Sequence, residues 1–205
     1  MSATKPLTAK GERSAGRVLQ AATSVLARDG FGGATLGRIA QEAGTDKRTI
    51  LYYFGSREAL LVRVVQTVGE QIAENIGSVV VPNRTPEELA DAAVQAMWSG
   101  VTSIPELSRA YFALVGGGAG PPLVEEALRH LKQAFLEAIA RQLDAIDSSR
   151  WEPRGDPTST AMFTLALLRG LVLEWTETGD TYGLSIGLER FRSTISAGFV
   201  RVTPS

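Results

Sequence analysis

One stretch constrains this chain more than any other: residues 35–58, Thr-Leu-Gly-Arg-Ile-Ala-Gln-Glu-Ala-Gly-Thr-Asp-Lys-Arg-Thr-Ile-Leu-Tyr-Tyr-Phe-Gly-Ser-Arg-Glu. Its punctuation predicts two short helices with a tight turn between them, followed by the start of a third. Thr35 is a helix N-cap, because its hydroxyl can accept a free backbone N–H. Leu36, Ile39, Ala40 and Ala43 then recur at helical spacing. Gly44 follows as the residue that can turn left-handed at no steric cost. Asp46 caps the second helix, on which Ile50 and Phe54 lie one turn apart on one face. Ser56 with Arg57-Glu58 reads as the next N-cap, with a carboxylate in the favourable first turn. Two short helices joined by a glycine-containing turn form the helix-turn-helix plan, whose second helix enters the major groove of DNA.

Ile39-Ala40-x-x-Ala43-Gly44 and Thr49-Ile50-Leu51-Tyr52-Tyr53-Phe54-Gly55-Ser56-Arg57-Glu58-x-Leu60 resemble the DNA-binding domain of the TetR family of bacterial repressors. Val18-Leu19-x-Ala21-Ala22, Gly30-Phe31 and Ala34-Thr35 stand at the matching offsets, and no insertion or deletion is needed from about residue 14 to residue 61. The resemblance covers this domain only. Leu51 replaces a tyrosine that commonly reaches a DNA phosphate in that family, so Tyr52 or Tyr53 would have to make the contact. Arg48 stands where a small residue is frequent, Tyr53 where histidine is, and Arg57 where lysine is usual. On the second helix, Lys47, Arg48, Thr49 and Tyr52 point away from Ile50 and Phe54, towards groove and phosphates. With Thr35, Tyr53 and Arg57 they complete the DNA-binding candidates, Arg57 being expected on a phosphate.

The charge distribution agrees. Residues 1–64 hold ten Lys/Arg against five Asp/Glu, a balance of +5, while the whole chain is −1, so the remainder is −6. A basic head on an acidic body is the footprint of a nucleic-acid-binding domain on a core that does not bind it. The chain has no cysteine, hence no disulfide and no thiolate metal site, which fits a reducing cytoplasm. No apolar run approaches the roughly 18 residues of a membrane span, and residues 1–10 lack the apolar core of a secretory signal.

The expected organisation is all-α: a flexible arm at 1–11, a helix-turn-helix domain at 12–56 and a helical ligand-binding and dimerisation domain at 57–205. Helix one is expected over 12–29, ended by Gly30. A long helix over 57–80 carries Leu61, Val64, Val65, Val68, Ile72, Ile76 and Val79, and Pro82 ends it. Helices at 86–100 (capped by Thr85, with Pro86 first), 103–115 and 122–146 follow. Residues 147–156 read as a loop, and the last helices as 157–177 and 184–202. No segment reads as a strand. Gly116 to Gly120 is glycine-rich, but no strand precedes it and no Gly-Lys-Ser/Thr follows, so it is a turn and not a phosphate loop.

No catalytic chemistry is legible. His130 is the single histidine, without spaced metal-ligand partners and without a Gly-x-Ser-x-Gly elbow. No cofactor is implied and an enzyme is not expected. Met97, Trp98, Tyr111, Phe112, Phe135, Phe163 and Trp175 supply the aromatic and soft side chains that line pockets between helices. Residue by residue they read equally as core. The resemblance implies that some border the cavity of a small apolar or aromatic effector. It also implies a homodimer formed by the last two helices as a four-helix bundle, for which Leu165, Leu168, Val172, Leu188, Phe191, Ile195 and Phe199 are the candidates. A two-fold dimer suits a palindromic operator. The expected function is a one-component repressor released by its effector. The competing expectation is a helical ligand-binding or adaptor protein whose head no longer binds DNA, with Leu51 in its favour.

Overall fold

The computed structural model describes residues 8–77, 85–103, 105–117 and 120–202. Among the described residues the chain is all-α apart from one short pair of strands, and it divides into two compact units. The first takes Met1–Val68 and Arg109–Leu128, the second Gly69–Ser108 and Arg129–Ser205.

In the first unit, α1 (Ala9–Gly33), α2 (Leu36–Glu42) and α3 (Lys47–Phe54) precede the first half of α4 (Arg57–Gly77). Each start is fixed by a local oxygen. The Gly11 N–H donates to Thr8 Oγ1 at 3.2 Å, Arg38 N–H to Thr35 Oγ1 at 3.4 Å, Thr49 N–H to Asp46 Oδ1 at 2.7 Å and Ala59 N–H to Ser56 Oγ at 3.0 Å. Thr8 therefore starts α1 a turn earlier than the expected residue 12. Gly30 interrupts it with φ 71°, and one more turn follows to Gly33. Gly44 has φ 62° and Gly55 φ 77°, so the reversals after α2 and α3 both use backbone that disfavours a side chain. Val18, Ala22, Val25, Leu26, Ile39, Ile50, Leu60, Leu61, Val64 and Val65 are buried as one apolar set. Burying each larger side chain is worth about 1.5–3 kcal/mol, which is what holds helices this short.

In the second unit lie α5 (Pro86–Ser103), α8 (Pro157–Thr178), α9 (Thr181–Ala197), β1 (Trp151–Pro153) and β2 (Phe199–Arg201). Two further helices, α6 (Pro105–Val115) and α7 (Pro122–Asp144), contribute residues to both units, as α4 does. Thr85 and Glu88 cap α5 reciprocally: the Glu88 N–H donates to Thr85 Oγ1, and the Thr85 N–H to the Glu88 carboxylate. Leu89, Ala90, Ile146, Phe191, Ile195 and Phe199 form the core, with Leu168, Leu171 and Trp151 packed against it. Arg192 of α9 pairs with Asp91 of α5 and with Glu189. A Cβ at Gly187 would run into the Leu171 side chain, so Leu171 of α8 packs into the space that glycine leaves on α9. All three tryptophans, Trp98, Trp151 and Trp175, belong to this unit.

Two expectations are corrected. Residues 147–156 are not all loop, because Trp151–Pro153 pairs antiparallel with Phe199–Arg201, Trp151 opposite Arg201. The last helix does not run 184–202: Asp180 caps it from Thr181, it ends at Ala197, and Phe199 reaches the core from a strand. The spacing Leu188, Phe191, Ile195, Phe199 fits a helix throughout, but Gly198 ends it and the strand still buries Phe199. Val79 and Pro82, and the side chains of Ile72, Ile76 and Met97, lie outside the described residues.

Candidate nucleic-acid interface

α3 buries Ile50 completely and turns the opposite side outward. Lys47 and Arg48 are exposed, Thr49 and Tyr53 half-buried, and Tyr52 is 76% exposed. The Tyr52 and Tyr53 rings meet edge to face at 5.2 Å, which fixes the direction of both phenols. Thr49 also gives its backbone N–H to Asp46, and that bond holds the Asp46 carboxyl below the ordinary aspartate range.

The start of α2 lies beside this surface. A Cβ built on Gly37 would stand 3.2 Å from Lys47 Cε and 4.0 Å from Thr35 Oγ1, so the Lys47 chain crosses the first turn of α2 next to exposed Thr35. Thr35 and Lys47, twelve residues apart in sequence, thus share one patch. Among the described residues neither the Lys47 nor the Arg48 side chain makes a hydrogen bond or close ion pair, though the Arg48 N–H and charge both act on Asp46.

Arg57 is placed differently. Its Nε donates to the Ala34 carbonyl and its Nη2 to the Phe31 carbonyl, both at 2.6 Å, and its guanidinium lies 4.7 Å above the Phe31 ring. The fork that would face a phosphate instead ties α4 to the α1–α2 junction. Leu51 is 41% exposed on the outward side.

Sequence reading missed one electrostatic feature. Arg28 donates to Asp29 and Glu42 at 3.1 Å each, and Arg38 donates to the other Asp29 oxygen at 2.9 Å. The Arg28 bond, reinforced by Arg38, pulls the Asp29 carboxyl below its usual range, while Glu42 and Asp29 raise Arg28. Two of the head's cations are thereby paired with carboxylates at its surface. Only a folded α1–α2 pair brings these four residues together, so no local motif announces them.

The effector candidates divide between the units. Tyr111 is buried and meets Phe112 edge to face at 5.1 Å, both in the first unit. Trp98 and Phe163 are on the surface of the second, Phe135 and Trp175 are half-buried, and Met97 is on α5 with its side chain outside the described residues. Among the described residues the buried indole Nε1 of Trp175 has no hydrogen-bond partner. Of the dimer candidates, Leu165, Leu188, Phe191, Ile195 and Phe199 are buried within the single chain, and Leu168 and Val172 half-buried. A helical stripe marks residues that must be covered, and here the chain's own α5 and strand pair cover most of it.

The family model for bacterial regulatory proteins of the tetR family matches residues 18–64. Over 97 residues the chain is 27% identical to the HTH-type transcriptional repressor NicS of Pseudomonas putida, covering 47% of this chain and 46% of that protein. Over 51 residues it is 41% identical to the HTH-type transcriptional regulator RutR of Escherichia coli, covering 25% and 24%. The matches thus span less than half the length of these curated relatives. Among solved structures, a TetR-family transcriptional regulator from Agrobacterium tumefaciens superposes with TM-score 0.77 at 17% identity over 90% of this chain and 98% of the other. NalD, the secondary repressor of the MexAB-OprM multidrug efflux pump in Pseudomonas aeruginosa, gives 0.71 at 20% identity over 96% and 100%. These likenesses establish the fold along nearly the whole chain.

Proposed function

Because its N-terminal domain belongs to the TetR family of bacterial regulatory proteins, we propose that this chain is a one-component transcriptional repressor, a homodimer that grips a palindromic operator and leaves it when a small effector binds. The observation that carries the reading is the outward side of α3: Lys47, Arg48 and Tyr52 exposed together and flanked by Thr35 at the start of α2. Arg48 and Lys47 have the chemistry to read guanine edges or hold phosphates, and Thr35, Thr49, Tyr52 and Tyr53 that to hydrogen-bond the backbone. Arg57 is assigned a supporting part, holding α4 and the start of α2 in register. The relatives are regulators, which favours binding over catalysis, and a regulator of this kind works in the cytoplasm.

Dimerisation is assigned to the exposed apolar side of α8 and α9. Met162, Ala166, Gly170 and Leu173 recur at helical spacing on α8, and Tyr182 and Ile186 stand out on α9. Large apolar side chains left in water along one face call for a partner, and a second copy supplies the same face by symmetry. Trp175, with its open indole donor, and Phe135 support an apolar or aromatic effector that accepts one hydrogen bond. Such an effector, favouring the form less suited to the operator, shifts the population off DNA, and by linkage DNA weakens effector binding equally.

The deciding experiment is selection of genomic fragments by the purified full-length protein, sequenced at two salt concentrations. Enrichment of a short palindrome, lost at the higher salt, is the expected result. No enrichment at either salt would overturn the reading in favour of a helical ligand-binding or adaptor protein.

A further inference from the structure

The cations of the first unit fall into classes by what they already hold. Arg28 and Arg38 are bound to Asp29 and Glu42, Arg57 to two carbonyl oxygens, and Arg63 donates to Gln66 Oε1 at 3.5 Å. Lys47 and Arg48 belong to the α3 surface. Apart from Arg109 on α6, three described cations of the unit remain: Lys10, Arg13 and Arg17 of α1, all exposed and all without a side-chain ion pair or hydrogen bond to another described residue.

These three stand at i, i+3 and i+7 of α1, which puts them on one flank. Gly11, Val18, Ala21, Ala22, Val25 and Leu26 mark the buried side of that helix, roughly a third of a turn away. Arg28 lies on the same flank, and its guanidinium reaches Glu42 at the end of α2. The stripe therefore runs along the side of α1 that adjoins the helix-turn-helix.

Local physics disfavours this placement twice. Like charges one turn apart repel, and Lys10 and Arg13 sit near the positive end of the helix dipole. No carboxylate among the described residues pairs with any of them. A surface that breaks local rules with no compensation inside the fold is expected to find it in a ligand. The ligand must be a linear polyanion, because the stripe covers about 10 Å of helix, the reach of roughly three phosphates along one DNA strand.

We infer that Lys10, Arg13 and Arg17 form a second contact line on the DNA backbone, independent of sequence, beside the groove contact of α3. This rests on the operator-binding reading above and adds a surface to it.

The test uses the full-length protein and its selected operator duplex, with Kd followed by fluorescence anisotropy across a salt series. The variants are K10Q/R13Q/R17Q, the charge-retaining K10R/R13K/R17K, and Arg48→Gln. The triple glutamine variant should lose about tenfold or more in affinity at low salt for operator and unrelated duplex alike. Its plot of log K against log salt should flatten by about 0.9 for each phosphate contact removed. The charge-retaining variant should keep the wild-type slope. Arg48→Gln should instead narrow the gap between operator and unrelated duplex. An unchanged slope in the folded glutamine variant, checked by circular dichroism and by Arg17→Gln alone, overturns the inference while the regulator reading stands. Failure of the unsubstituted protein to bind any duplex overturns both. Loss of binding to anionic lipid vesicles with an unchanged DNA slope also overturns it and points to a membrane surface.

Discussion

A guanidinium that meets two backbone carbonyls at 2.6 Å each acts as a bracket, and Arg57 closes one between the start of α4 and residues Phe31 and Ala34. Charged hydrogen bonds of this kind contribute about 1.5–3 kcal/mol each, less where water competes. Arg57→Ala should therefore lower the melting temperature by roughly 5–10 °C. Arg57→Lys should recover little of it, since a lysine cannot span both oxygens. Arg48→Ala should leave melting unchanged and weaken operator binding. Equal melting temperatures for the Arg57→Ala and unsubstituted proteins would remove the bracket. The caps make a second prediction. Asp29, Asp46 and Asp156 all titrate below the ordinary aspartate value of 3.8, through Arg28, the Thr49 N–H and the Ser159 N–H respectively. A lowered folded value stabilises the fold fully above 3.8 and is lost as pH falls through the folded values beneath it. Thermal melts should show this contribution unchanged from neutral pH to about 5 and falling as the pH drops below about 4. Thr35, Asp46, Ser56 and Thr85 were legible as caps because a cap depends on the next three residues. The partners of Arg57 were not, because they lie 23 and 26 positions upstream.

At the scale of elements, periodicity located every described helix and misjudged both ends of α1 and of α9. The strand pair escaped because three-residue strands show no alternation, and the proline in β1 argues against a strand. The extra turn of α9 at its start depends on Asp180, whose carboxylate accepts from the Gly183 N–H at 2.9 Å. The same periodicity identified the residues of α8 and α9 that need covering, but could not say whether the chain itself or a second copy covers them. Substitutions at the exposed positions test it. Met162→Asp together with Ile186→Asp should convert dimer to monomer in sedimentation and weaken operator binding at fixed protomer concentration, with helical content kept. Leu188→Asp should instead unfold the second unit, because Leu188 is buried within the chain. A double variant that still sediments as a dimer would move the interface elsewhere.

Across the molecule, chemistry is separated by region. The +5 head against a −6 remainder was legible by counting, and the structure refines the count by pairing Arg28 and Arg38 with carboxylates. The cations without a carboxylate partner are thus fewer than the sequence lists. The groove candidates were legible because one short helix exposes them together. The effector candidates were not separable from core, since an aromatic at helical spacing is buried either way. The division of the tryptophans has a practical corollary. With Trp98, Trp151 and Trp175 all in the second unit, indole emission is blind to the N-terminal head. Denaturation followed by emission should trace the second unit alone, while far-ultraviolet dichroism traces both. Two displaced midpoints would mean that the units melt separately, and superposed curves that they melt as one. In a titration, an effector that quenches emission would be sensed where it binds, and a DNA duplex added to the same cuvette would register only through what it does to the body.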